Sequence, residues 1–77
     1  MPRETSAEKV ANALQAIGFD QRRNLGGHLI LGHSKSGAQV TLPARTAVSP
    51  QMLRSVIRQI EGFGLATEGQ FLRLLER

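Results

Sequence analysis

Apolar residues recur at helical spacing from Ala7 onward: Val10, Ala11, Leu14 and Ile17 follow it, and Gly18 supplies a left-handed stop. Before them, Thr5-Ser6-Ala7-Glu8 has the form of a capping box, with Thr5 accepting from the Glu8 backbone and Glu8 reaching back. The pattern predicts an amphipathic helix over about 6–17. After Phe19 the period changes to two. Leu29 and Leu31 fall on one face of a strand, His28 and Ile30 on the other, and Val40 and Leu42 alternate with Gln39 and Thr41. Ser34-Lys35-Ser36-Gly37 carries turn chemistry between them, so a hairpin joins roughly 28–33 to 38–43. Phe19 to Arg23 predicts a short edge strand, interrupted afterwards by Gly26-Gly27.

Ser49-Pro50 reads as an N-cap with proline at the first helical position, and Leu53, Val56, Ile57 and Ile60 form the buried stripe of a helix over about 50–61. Arg54, Arg58 and Glu61 lie off that stripe, with Glu61 one turn from Arg58, as on an ordinary solvated face. Gly62-Phe63-Gly64 ends this helix. Thr67-Glu68-Gly69-Gln70 is a second capping box, opening a short helix that carries Phe71, Leu72, Leu74 and Leu75. The order helix, three strands, helix, short helix predicts an α+β domain over 1–77, with a three-stranded antiparallel sheet and helices on one face. The other face is left open, and strand parity puts His28, Ile30, Gln39 and Thr41 on it.

Length and charge narrow what such a domain does. At 77 residues, about 62% of the unfolded surface can be buried, enough for one thin core. The chain has no cysteine, two histidines and six acidic residues, which offers no disulfide, no thiolate ligand and little material for a metal cage. The expected chemistry is free of metal and cofactor. No apolar run approaches the length of a membrane span, and Met1-Pro2-Arg3-Glu4 leads into polar sequence, so a soluble, cytoplasmic protein is expected. Ten Lys and Arg against six Asp and Glu give a formal charge of +4. Eight of the ten cations are Arg, whose planar fork matches phosphate bidentately, so a polyanion such as nucleic acid is the favoured partner.

His28 is the first candidate for chemistry. It starts a strand directly after Gly26-Gly27, which let backbone amides approach a phosphate, and it points away from the predicted core. An imidazole takes or gives a proton near neutral pH, although a lone surface histidine after a glycine pair is commonly incidental. His33 falls on the opposite face and reads as a turn-flanking residue; a bulge at Gly32 would reset that parity. Ser34 and Ser36 read as turn residues, without a partner that would activate a nucleophile. Arg22, Arg23, Lys35 and Arg45 lie at strand ends or in loops, where phosphates are held, and with Gly26 and Gly27 they form the candidate RNA-binding set. Each of the three Phe is expected to pack in the core or between helices, which leaves aromatic stacking of bases and sequence-specific readout unexpected. Walker, Rossmann, zinc and metalloprotease spacings are absent.

The order of these pieces resembles the HicA toxins of bacterial toxin–antitoxin systems. That family's run is a helix ending in a Gly-aromatic pair, an Arg, a Gly-Ser-His at a strand start, a hairpin, a Val-Pro, and a helix with a Leu-Arg-x-Ile-x-Arg-Gln core. Here it reads Leu14 to Gly18-Phe19, Arg23, Gly26-Gly27-His28, Leu29 to Leu31, Gly37, Val40 to Leu42-Pro43, then Leu53-Arg54-Ser55-Val56-Ile57-Arg58-Gln59. The resemblance covers about residues 7–77, including Gly64-Leu65, Thr67 and Phe71-Leu72 near the end. It implies a double-stranded-RNA-binding-domain-like α-β-β-β-α fold with a short C-terminal helix. It also implies a stress-response mRNA interferase, a metal-independent endoribonuclease that inhibits translation with His28 as its essential residue. Its expected partners are mRNA and a cognate HicB-like antitoxin covering the active face, with a monomer when free and a hetero-complex when inhibited. Gly27 stands where the family has Ser, and Arg45 is the nearest polar residue where many members carry a second His. A non-catalytic RNA-binding module or inactive member of the same fold is therefore the alternative, and a protein-interaction domain using the open face is a third reading.

Overall fold

Two hydrophobic stripes on helices and one alternating face of a sheet can be buried together only by stacking helices on that face. The computed structural model, which describes residues 5–76, has this arrangement. Its elements are α1 (Ala7–Ala16), β1 (Phe19–Leu25), β2 (His28–His33), β3 (Gln39–Pro43), α2 (Pro50–Gly62) and α3 (Glu68–Leu75). The strands form an open antiparallel sheet in the order β1-β2-β3. Val10 and Leu14 of α1, Leu31, Val40 and Leu42 of the sheet, Leu53 and Ile60 of α2, and Phe71 of α3 are all fully buried in one core. Among the described residues no helix is long and apolar enough to cross a membrane.

Four local expectations are corrected. Helix α1 is capped by Ser6, whose hydroxyl accepts from the Lys9 amide at 3.2 Å. Thr5 is instead extended and exchanges both backbone hydrogen bonds with Val48, so it cannot cap. Strand β1 continues past Arg23 to Leu25, and Gly26-Gly27 is the turn into β2 rather than an interruption. Phe63 is 51% exposed, whereas Phe19 and Phe71 are buried. The cause lies in the end of α2: Leu65 N–H donates to the Ile60 carbonyl and Gly64 N–H to the Glu61 carbonyl, a Schellman ending that turns Leu65, not Phe63, against the core. Glu61, finally, does not pair with Arg58. Its carboxylate accepts from the Glu68 amide at 3.0 Å, at the positive end of α3. The cap of α2 by Ser49 and the capping box of Thr67 with Gln70 are as expected.

At the far end of β2, His33 is 8% exposed and uses both ring nitrogens. Nε2–H donates to the Ile17 carbonyl at 3.1 Å, and Nδ1 accepts from the Ser36 amide at 3.2 Å, which requires the neutral ring with its hydrogen on Nε2. The ring also meets Phe19 edge to face, with centroids 5.2 Å apart. Gly18 makes room for it, since a Cβ there would come within 2.6 Å of His33 Nε2. The turn-flanking histidine thus joins the end of α1, the end of β2 and the β2–β3 turn. His33→Leu leaves a carbonyl and an amide without partners and is expected to lower unfolding stability by about 1–3 kcal/mol. His28→Ala, on the open face, should stay within about 0.5 kcal/mol of wild type. Urea unfolding of the two variants checks the contrast, and equal losses would remove the role given to His33.

Candidate active site

The two-residue turn at Gly26-Gly27 sets where His28 stands. Both glycines have positive φ, +55° and +86°, the pattern of a type I′ hairpin whose twist matches its strands. The turn pairs Leu25 with His28, and the β2–β3 ladder pairs His28 with Pro43. His33, Leu31 and Leu29 face the helices, so the two-residue period puts Gly32, Ile30 and His28 on the opposite, open face. The parity read from sequence holds, with His28, Gln39 and Thr41 exposed and Ile30 half-buried. His28 has Leu25, 53% exposed, on one side and Pro43 on the other. No side-chain hydrogen bond or ion pair among the described residues holds its ring.

Arg45 arrives by extension of the same ladder. The Ala44 amide donates to the Gly27 carbonyl at 2.7 Å, and the next residue lays its stem beside the turn, Arg45 Cδ being 3.9 Å from where a Gly27 Cβ would stand. His28, Gly26, Gly27 and Arg45 therefore gather at one end of the sheet. Arg23 pairs with Ile30, which puts it midway along β1 on the open face.

Arg22 and Lys35 are not part of that group. The ladder skips between Gln21 and Arg23, making Arg22 the extra residue of a bulge. Its guanidinium lies over Gly32, with Nε paired to Asp20 at 2.5 Å and Nη2 donating to Ser34 Oγ at 3.2 Å. Lys35 is exposed in the β2–β3 turn beyond it. His28 and Gly32 are four residues apart, about 13 Å along an extended strand, so five of the six candidate RNA contacts divide between the two ends of the sheet, Gly26, Gly27 and Arg45 at one and Arg22 and Lys35 at the other, with Arg23 between them. The sequence reading missed Leu25 as a neighbour of His28. The signal was present, because Gly-Gly between two strands is itself a two-residue hairpin signature. It also missed the bulge, for which neither composition nor period gives a sign.

The site offers an exposed imidazole, a guanidinium beside the adjoining turn, and a surface without helices. Among the described residues no three His, Asp or Glu side chains gather where a metal ion would be held. Because residues 26 and 27 both need positive φ, Gly26→Asn should fold within about 0.5 kcal/mol of wild type, whereas Gly27→Val should cost about 1–2 kcal/mol. Thermal or urea unfolding decides this, and a Gly27→Val variant as stable as wild type would contradict the turn. Compared with protein-family models, curated proteins and solved structures, the chain finds no match.

Proposed function

We propose that this chain is the toxin of a toxin–antitoxin pair, similar to HicA: a cytoplasmic, metal-independent endoribonuclease that cleaves mRNA and so inhibits translation. The observation that carries this reading is the different use of the two histidines. One is enclosed and saturated by hydrogen bonds, while His28 stands free on a helix-free face, directly after a glycine turn and one residue from the stem of Arg45. The order of elements is compatible with a double-stranded-RNA-binding-domain-like fold, which belongs to the same proposal.

The chemistry asks little of the protein because RNA carries its own nucleophile. His28 takes the 2′-hydroxyl proton as that oxygen bonds to phosphorus. The bond to the 5′-oxygen breaks, and that oxygen takes a proton from water, leaving a 2′,3′-cyclic phosphate and a 5′-hydroxyl. Arg45 stays charged throughout and stabilises the negative charge that builds on the phosphorane oxygens. Gly26, Gly27 and Arg23 border the path of the backbone. In the inhibited state a HicB-like antitoxin covers the open face in a hetero-complex, and the free toxin is a monomer.

A second reading has specific support: Gly27 and Arg45 stand where the HicA pattern has a hydroxyl and a second imidazole, and no side-chain hydrogen bond among the described residues orients the His28 ring. It makes the chain a non-catalytic RNA-binding module. The discriminating experiment incubates partner-free wild type and His28→Ala with a labelled mRNA in EDTA. The toxin reading expects fragments from wild type and a fall of about 10²- to 10⁴-fold in the variant, the worth of one acid–base group. Undiminished cleavage by His28→Ala would remove His28 from the mechanism. Binding without cleavage by either protein, weakening steeply with salt, would establish the second reading.

A further inference from the structure

Glycine within a strand weakens it and commonly marks a place where something approaches the backbone closely. Gly32 is such a residue, and its φ lies outside the left-handed region, so what it provides is the missing side chain. The space is taken by Arg22. A Cβ on Gly32 would meet Arg22 Nε at 2.8 Å, Cζ at 3.2 Å and Cγ at 3.3 Å, so the side chain runs directly across the sheet surface. Asp20 holds it at Nε and Ser34 at Nη2, yet it remains 48% exposed. Gln39, paired with Gly32 across the ladder, lines with Arg22, Gly32, Ser34 and Gly37 a shallow cleft of about 370 Å³ that His33 and Ala38 also border.

We propose that this cleft is a nucleobase subsite for single-stranded RNA, in which a base stacks on the Arg22 guanidinium while the Gln39 amide hydrogen-bonds to its edge. The proposal rests on the reading of RNA as the ligand and assigns a part of the face that reading leaves unused. Asp20 already balances the charge of Arg22, so what Arg22 presents outward is a fixed plane rather than a free cation for phosphate. Proteins stack unpaired RNA bases on arginine planes as well as on aromatic rings. Here the guanidinium supplies a stacking surface on a sheet whose Phe19 is turned into the core. A base stacked in this way and read on its edge is not in a duplex, so the bound strand is single. The cleft lies about 13 Å along β2 from His28, which places the stacked base a few nucleotides from the phosphate at His28.

The test measures binding of single-stranded RNA oligonucleotides to the His28→Ala protein, which removes cleavage from the readout. An abasic position is walked along the oligonucleotide at fixed salt. The subsite expects one position whose loss weakens binding about 5- to 20-fold, within the range found for single stacked bases, and neighbours that matter little. Adding Arg22→Lys keeps the charge and removes the plane. It should weaken intact RNA by a similar factor and abolish the dependence on that position. Gly32→Ala, which pushes Arg22 off the sheet, should do the same, and circular dichroism melts establish that both variants fold. Undiminished abasic dependence in folded Arg22→Lys and Gly32→Ala overturns the subsite while leaving RNA as the ligand. Absence of RNA binding by the folded His28→Ala parent and by wild type overturns the parent reading and the subsite together.

Discussion

The fold hangs on the enclosure of His33. A sheet only three strands wide has one face to bury, and a one-residue slip of the central strand would exchange its two faces. His33 resists that slip at the strand's end, because its ring reaches a carbonyl on the α1 side and an amide in the β2–β3 turn at once. Both partners lie off the strand, so satisfying them fixes the strand's rotation as well as its position. From there the period of two does the rest: Leu31 and Leu29 go inward, and Gly32, Ile30 and His28 go outward. An outward imidazole at one end of β2 is thus a consequence of an inward imidazole at the other, and the odd number of steps between 28 and 33 is what separates them.

Much of this was legible in the sequence, because both the helical stripes and the two-residue alternation are cooperative signals carried by many residues. Val10, Leu14, Leu53 and Ile60 are buried as their spacing indicates, and the outward row of His28, Ile30, Gln39 and Thr41 is reproduced. The errors at Thr5, Glu61 and Phe63 are local, and each turns on which of two nearby groups wins a backbone partner or a place in the core. Thr5 and Ser6 are both good caps, and the choice fell to Ser6 because Thr5 is engaged by Val48, a residue more than 40 positions away. Glu61 looked like an ordinary exposed carboxylate until α3 presented an amide to it. Phe63 lost its place in the core to Leu65 through the geometry of a helix ending, which hydrophobicity alone does not encode.

The candidate site shows the same division. That His28 is free and His33 is not followed from parity. That Arg22 and Arg45 lie at opposite ends of the sheet did not, because Arg22 is aimed by a bulge between two ladder steps. A bulge shifts the register by one residue and resets the alternation of the strand that carries it, but between Phe19 and Leu25 β1 is wholly polar, so no apolar period was there to show the shift. Charge counting treated Arg22, Arg23, Lys35 and Arg45 as one footprint. The structure distinguishes them by what each already touches: Arg22 is matched by Asp20, whereas none of the side-chain pairs among the described residues engages Arg23 or Arg45.

That distinction bears on how one imidazole would serve the proposed cleavage, which moves two protons. A second histidine would let one ring accept and another donate, whereas a guanidinium in its place does neither near neutral pH. What Arg45 can contribute is charge, and charge is most useful where it lowers the barrier to forming the phosphorane. Under the proposed cleavage the demand on His28 would be greatest in taking the 2′-hydroxyl proton, an event that depends on holding one ribose still beside the ring. Since no side-chain hydrogen bond among the described residues orients the ring, orientation in the proposed reaction would come from the substrate and from the walls that Leu25 and Pro43 provide. A strand gripped at a distance, at the proposed subsite over Gly32, would supply that order: it would convert binding energy at one end of the sheet into a fixed position at the other, where the protein itself contributes few restraints.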